Sequence, residues 1–135
     1  CTVALTAIPN LVIWIGGLMA IIWMALQLRH KSDPAALAII SGFLAGWLPW
    51  VFFLNRTAFQ FYAVAYAPYL AIALAFALHA YWRKGVARKL RSRNGAIALV
   101  VFATVFVAIY FMSIWTALPV PHLMWQLQML FPFWV

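Results

Sequence analysis

Trp47-Leu48-Pro49-Trp50-Val51-Phe52-Phe53-Leu54-Asn55-Arg56-Thr57-Ala58-Phe59-Gln60-Phe61-Tyr62 joins two apolar runs, and reading it as a turn decides how the chain is arranged. It holds one cation, Arg56, among aromatics. The other eight Lys and Arg residues fall in two further loops: Arg29 and Lys31 in one, and Arg83, Lys84, Arg88, Lys89, Arg91 and Arg93 in the other. In a chain that crosses a membrane, loops crowded with Lys and Arg mark the cytoplasmic face. Arg56 is then expected alone at the outer face, where a guanidinium among aromatics calls for an anionic partner. The phosphate at the head of a lipid is the most specific candidate.

Composition supports the membrane premise. The 135 residues are 69% hydrophobic and 7% charged, against about 25% charged in a soluble domain. Four apolar runs are each long enough for a hydrocarbon core, which takes roughly 20 residues. The sequence predicts an all-α membrane protein: four transmembrane helices at about 9–28, 35–54, 58–82 and 96–118, then an interfacial tail over 119–135, forming a single transmembrane domain. With four spans the first and third loops share a side, so both termini are expected outside and the basic loops cytoplasmic.

Several functions are excluded by residue type. Asp33 is the only acid, so paired-carboxylate catalysis and carboxylate-built Mg or Ca sites are ruled out within this chain. A single cysteine, Cys1, gives neither a disulfide framework nor a metal site. No cofactor is expected. The net charge of +8 invites a nucleic-acid partner, but the bases lie in loops between spans and no supporting fold accompanies them. Anionic lipids at Arg83, Lys84, Arg88, Lys89, Arg91 and Arg93 are the expected partners.

Local signals refine the spans. Pro9 suits a first helical turn. Ser32 or Asp33 before Pro34 reads as a helix N-cap, which makes Asp33 structural rather than a catalytic acid. Gly16-Gly17, and Gly42 with Gly46 at i, i+4, allow helix backbones to approach closely. Pro49 is expected to loosen the second helix near its end, and Pro68 to kink the third. Phe59, Tyr62, Tyr66 and Tyr69 fall at i, i+3, i+7 and i+10, one stripe on a helical face. Such a stripe either packs between helices or lines a groove for an isoprenoid chain. His30 and His79 look structural, and His122 reads as a tail residue. The tail is too short between its prolines to span.

Two stretches carry a resemblance. Gly46-Trp47-Leu48-Pro49-Trp50, with Arg56-Thr57-x-Phe59-x-Phe61-Tyr62 and Pro68, resembles the C-terminal membrane region of bacterial protein O-mannosyltransferases. So do Tyr110-Phe111-Met112-Ser113-Ile114-Trp115-Thr116-Ala117 with Pro121, Trp125, Met129 and Pro132-x-Trp134, and the start at Pro9–Gly17. The resemblance implies a GT-C glycosyltransferase of the bacterial plasma membrane. Such an enzyme moves mannose from polyprenyl-phosphate mannose to Ser or Thr of exported proteins. It implies Arg56 as the donor-phosphate contact with Trp50 and Tyr62 close by; on the groove reading of the aromatic stripe, Phe59, Tyr62, Tyr66 and Tyr69 line the donor lipid with Trp50. The family's catalytic acid belongs to its first outer loop, which this chain does not contain. Where the family shows a basic residue before the final Pro-x-Trp, this chain has Gln126 and Gln128. Two readings follow: the C-terminal piece of a mannosyltransferase, working with the remaining part of the enzyme, or a non-catalytic subunit of a larger membrane complex.

Overall fold

The computed structural model describes residues 8–30, 32–52, 60–87 and 92–128, with backbone alone for 60–62, 85–87 and 92. The chain is an all-α membrane protein. Its elements are α1 (Leu11–Gln27), α2 (Pro34–Val51), a 3-10 helix (Gln60–Ala65), α3 (Ala67–Ala87), α4 (Ser92–Trp115) and α5 (His122–Gln128). Three stretches are long and apolar enough to cross a membrane: Pro34–Val51, Ala63–Lys84 and Arg93–Trp115. The helix α1 is apolar but shorter, at 17 residues, or about 25 Å at 1.5 Å per residue.

Capping residues set where α1 and α2 begin. Asp33 accepts from the Ala35 and Ala36 N–H groups at 3.0 and 3.4 Å, with Pro34 as the first helical residue. Pro9 lies outside α1, contrary to the expectation. Asn10 caps that helix instead, accepting from Val12 and Ile13 at 3.2 and 3.4 Å. Its amide also donates to the Thr104 carbonyl at 2.9 Å, which ties the start of α1 to the middle of α4.

Pro49 and Pro68 each lie near a helix end. Pro49 is carried inside the last turn of α2, and the helix ends two residues on at Val51, with the Phe52 cap N–H bonded to Pro49 O at 3.2 Å. The third apolar run is not one kinked helix. It is a 3-10 helix, a turn at Tyr66, and then α3 with Pro68 in its first turn. A proline there loses no hydrogen bond, whereas further inside its ring would strike the carbonyl four residues back. Tyr62 therefore belongs by its backbone to the 3-10 helix and Tyr66 to the turn, while Tyr69 lies in the first turn of α3; Phe59 lies outside the described residues.

The centre of the bundle is α3, and glycines seat it. A Cβ on Gly17 would lie 2.6 Å from Leu70 O and 2.7 Å from Leu70 Cβ; one on Gly16 would lie 3.0 Å from Leu74 Cδ1. On α2, a Cβ at Gly42 would overlap the Tyr69 ring, and one at Gly46 would lie 3.1 Å from Tyr66 Cβ. Lipid tails are as apolar as Leu, so helices in a bilayer gain from close packing rather than from escaping water. The pairings fix direction as well. Gly42 meets Tyr69 and Gly46 meets Tyr66, so α2 runs antiparallel to α3. Trp14 meets Tyr66 and Gly17 meets Leu70, so α1 runs parallel to it.

Around these glycines lies the core of Ala20, Ile21, Met24, Ala36, Phe43, Leu70 and Ala73. A second cluster, Ile8, Phe111 and Ile114, joins α4 to the segment before α1, and Trp115 Nε1 donates to Ile8 O at 2.7 Å. Many large apolar side chains among the described residues point outward, with Phe102 at 68% and Ile109 at 66% exposure. Outward apolar faces are what a lipid-facing helix requires.

Candidate functional site

The end of the bundle where α2 stops and α3 starts carries an aromatic cluster. Tyr66 stands edge-on between Trp14 of α1 and Phe43 of α2, with ring centroids 5.7 and 5.8 Å away. Phe43 stacks on Trp47 at 6.4 Å. One turn further along, Tyr69 covers Gly42. Tyr66 and Tyr69 are thus brought together by packing against α2. Half-buried Trp50 lies in the last turn of the same helix. Tyr62 belongs to the 3-10 helix by its backbone. Arg56 and Phe59 lie outside the described residues.

No carboxylate side chain of this chain reaches that cluster. Asp33, the only acid, caps α2 at the opposite end. Among the described residues no group of three His, Cys, Asp or Glu side chains is placed to hold a metal ion. His122 is exposed, with Nε2 3.2 Å from Gln126 Nε2 and its ring stacked on Trp125 at 5.2 Å. It is a tail residue, as its position in the sequence suggests.

The tail folds back along α4. That helix ends with the Leu118 N–H bonded to Ser113 O at 2.9 Å and Ala117 at φ 54°. This is the reversal glycine usually makes, since Cβ disfavours the left-handed region. Pro121 O then accepts from Trp125 N–H at 3.1 Å and opens α5. Gln128 at its end is fully buried. It donates to Tyr110 O and to Ser113 Oγ, the latter at 2.9 Å, while Tyr110 OH donates to Leu127 O at 3.1 Å. Gln128 is therefore a fastening of the tail to α4, a role hidden in sequence because its partners lie fifteen and more residues away.

The opposite end carries the first and third loops, which the sequence places on one side. Gln27 and Asp33 share a cleft there with His79, Arg83 and Lys84. Lys84 Nζ lies 5.9 Å from the Trp23 ring centroid, and the Arg93 guanidinium lies 4.3 Å from that of Tyr81. Arg88, Lys89 and Arg91 lie outside the described residues.

Comparison with known proteins gives a consistent result. No family model matches, and no solved structure matches. A polyprenol-phosphate-mannose–protein mannosyltransferase of Mycolicibacterium smegmatis is 25% identical over 99% of this chain and 26% of its own length. This chain is similar to polyprenol-phosphate-mannose–protein mannosyltransferases. Proteins of that name from Corynebacterium glutamicum and Mycobacterium tuberculosis are each 26% identical, over 90% and 77% of this chain. The chain spans about a quarter of the length of these mannosyltransferases. The likeness covers α1 to α5 in a single alignment with the first, so it concerns the whole bundle rather than one motif.

Proposed function

We propose that this chain is the C-terminal membrane region of a glycosyltransferase that moves mannose from a polyprenyl-phosphate mannose donor to Ser or Thr of exported proteins. Its part in the reaction is to hold the donor lipid. The observation that carries this reading is the similarity to mannosyltransferases along nearly the whole chain. The charge layout supports an orientation with the basic loops cytoplasmic and the α2–α3 connection outside.

In this reading Arg56 binds the donor phosphate, with Trp50 and Tyr62 close by. Phe59, Tyr66 and Tyr69 take the isoprenoid side, the two tyrosines from their seats against α2. As the glycosidic bond breaks, negative charge collects on the departing phosphate. A planar guanidinium stabilises that charge through paired hydrogen bonds. The general base for the acceptor hydroxyl comes from the remaining part of the enzyme, because the one carboxylate here is committed to capping α2.

Arg56→Ala in the complete enzyme tests this. Mannosyl transfer from polyprenyl-phosphate mannose, at donor well below saturation, is expected to fall about 100-fold, with membrane insertion intact. Unchanged transfer under those conditions removes Arg56 from the donor site.

A further inference from the structure

Two clefts meet at the end of the bundle away from Trp50, and Trp23 and Lys84 line both. The first, of about 380 Å³, opens between α1, α3 and α4. Its walls are Ala77, Leu78, Ile97 and Val100 with the rings of Trp23 and Tyr81. The second, between α1, the start of α2 and α3, carries more polar groups than the first, among them Gln27, His79 and Arg83 beside Trp23 and Phe76. Its one carboxylate, Asp33, is held in place as the α2 cap by the Ala35 and Ala36 N–H groups, both bonded to Oδ1.

Each ring that walls the apolar cleft carries a cation. Lys84 stands over Trp23 and Arg93 over Tyr81. Arg93 Nη1 also donates to the Tyr81 carbonyl at 3.1 Å, so its guanidinium is fixed in place. That bond uses one of the five N–H donors an Arg offers, and Lys has three. A groove that is apolar along its length and cationic at its rim fits a hydrocarbon chain ending in a phosphate. A further protein helix would need carboxylates to meet the same rim.

We propose that this is a binding site for an anionic glycerophospholipid. One acyl chain lies in the cleft between α3 and α4, and the phosphate sits between Lys84 and Arg93, with Arg83 and Gln27 beside the headgroup. The site is at the other end of the bundle from the proposed donor contacts and does not depend on them.

The test uses the full-length protein, purified, stripped of lipid and examined by native mass spectrometry. Phosphatidylglycerol and phosphatidylcholine with identical acyl chains are the probes. Wild type is expected to retain phosphatidylglycerol in preference to phosphatidylcholine. Each basic residue near a membrane surface is worth about fivefold in binding an anionic lipid. Lys84→Gln should therefore weaken retention about fivefold, and Lys84→Gln with Arg93→Gln about 25-fold. Ala96→Phe, which fills the cleft without changing charge, should weaken retention of both lipids while helix content stays constant. Equal retention of the two lipids with no effect of the charge variants overturns the proposal. So does the absence of any retained lipid, the result expected if another helix of the protein fills the cleft. Retention of polyprenyl phosphate in place of phosphatidylglycerol overturns it too.

Discussion

Gly17 is the residue on which helix packing turns most sharply, because what a side chain would meet there is backbone. The carbonyl of Leu70 cannot rotate aside, whereas the Leu74 methyl facing Gly16 can. Gly95, early in α4, faces open space. Gly17→Ala is accordingly expected to destabilise the folded bundle by about 1–3 kcal/mol through overpacking. Gly95→Ala is expected to be neutral or to stabilise by up to about 1 kcal/mol through helix propensity. Thermal unfolding in detergent with a tertiary-structure probe checks both, and equal effects at the two sites would refute the seating of α3. The glycines were legible in the sequence as small residues suited to helix contact, and Asp33 as a cap. Asn10 was not, because a capping Asn next to Pro9 competes with the proline as the apparent helix start. Its second bond, to Thr104, spans 94 positions and has no local signature.

At the scale of elements, apolar run length marks the four long helices, whereas the presence of a proline does not by itself say what it does to a helix. A proline is costly inside a helix and harmless at its start. Sequence alone offers both outcomes for Pro68, and the fold takes the second by placing a 3-10 helix before α3. The same break separates the aromatic stripe into parts, of which Tyr66 and Tyr69 are held against α2. The tail was legible as a non-spanning segment, yet its docking on α4 depends on Gln128 and cross-chain partners. Gln128→Ala would leave the Tyr110 carbonyl and Ser113 hydroxyl without their buried partner, at about 1–3 kcal/mol. Loss of α5 docking should appear as faster proteolysis after Leu123 or Met124 in detergent. Unchanged proteolysis and unchanged melting would show that Gln128 does not fasten the tail.

For the whole molecule, the first and third loops gather at one end and the α2–α3 connection belongs to the other. The distribution of Lys and Arg then assigns faces: the crowded end inward, the sparse end outward. In a Cys1→Ser background, cysteines at His30 or Arg83 should resist a membrane-impermeant maleimide in intact cells, and a cysteine at Phe52 should react. The opposite pattern would invert the topology and move the Trp50–Tyr66 end away from an outer-face donor. The proposed donor site is legible in the sequence only as a motif, since Arg56 and Phe59 lie outside the described residues and Asp33 is held at the other end as a cap. Photocrosslinking of the complete enzyme with a photoreactive polyprenyl-phosphate mannose locates the donor directly. Adducts are expected within Trp50–Tyr69 and should be lost with Arg56→Ala; adducts confined to Tyr81–Val100, unaffected by that substitution, would contradict the account.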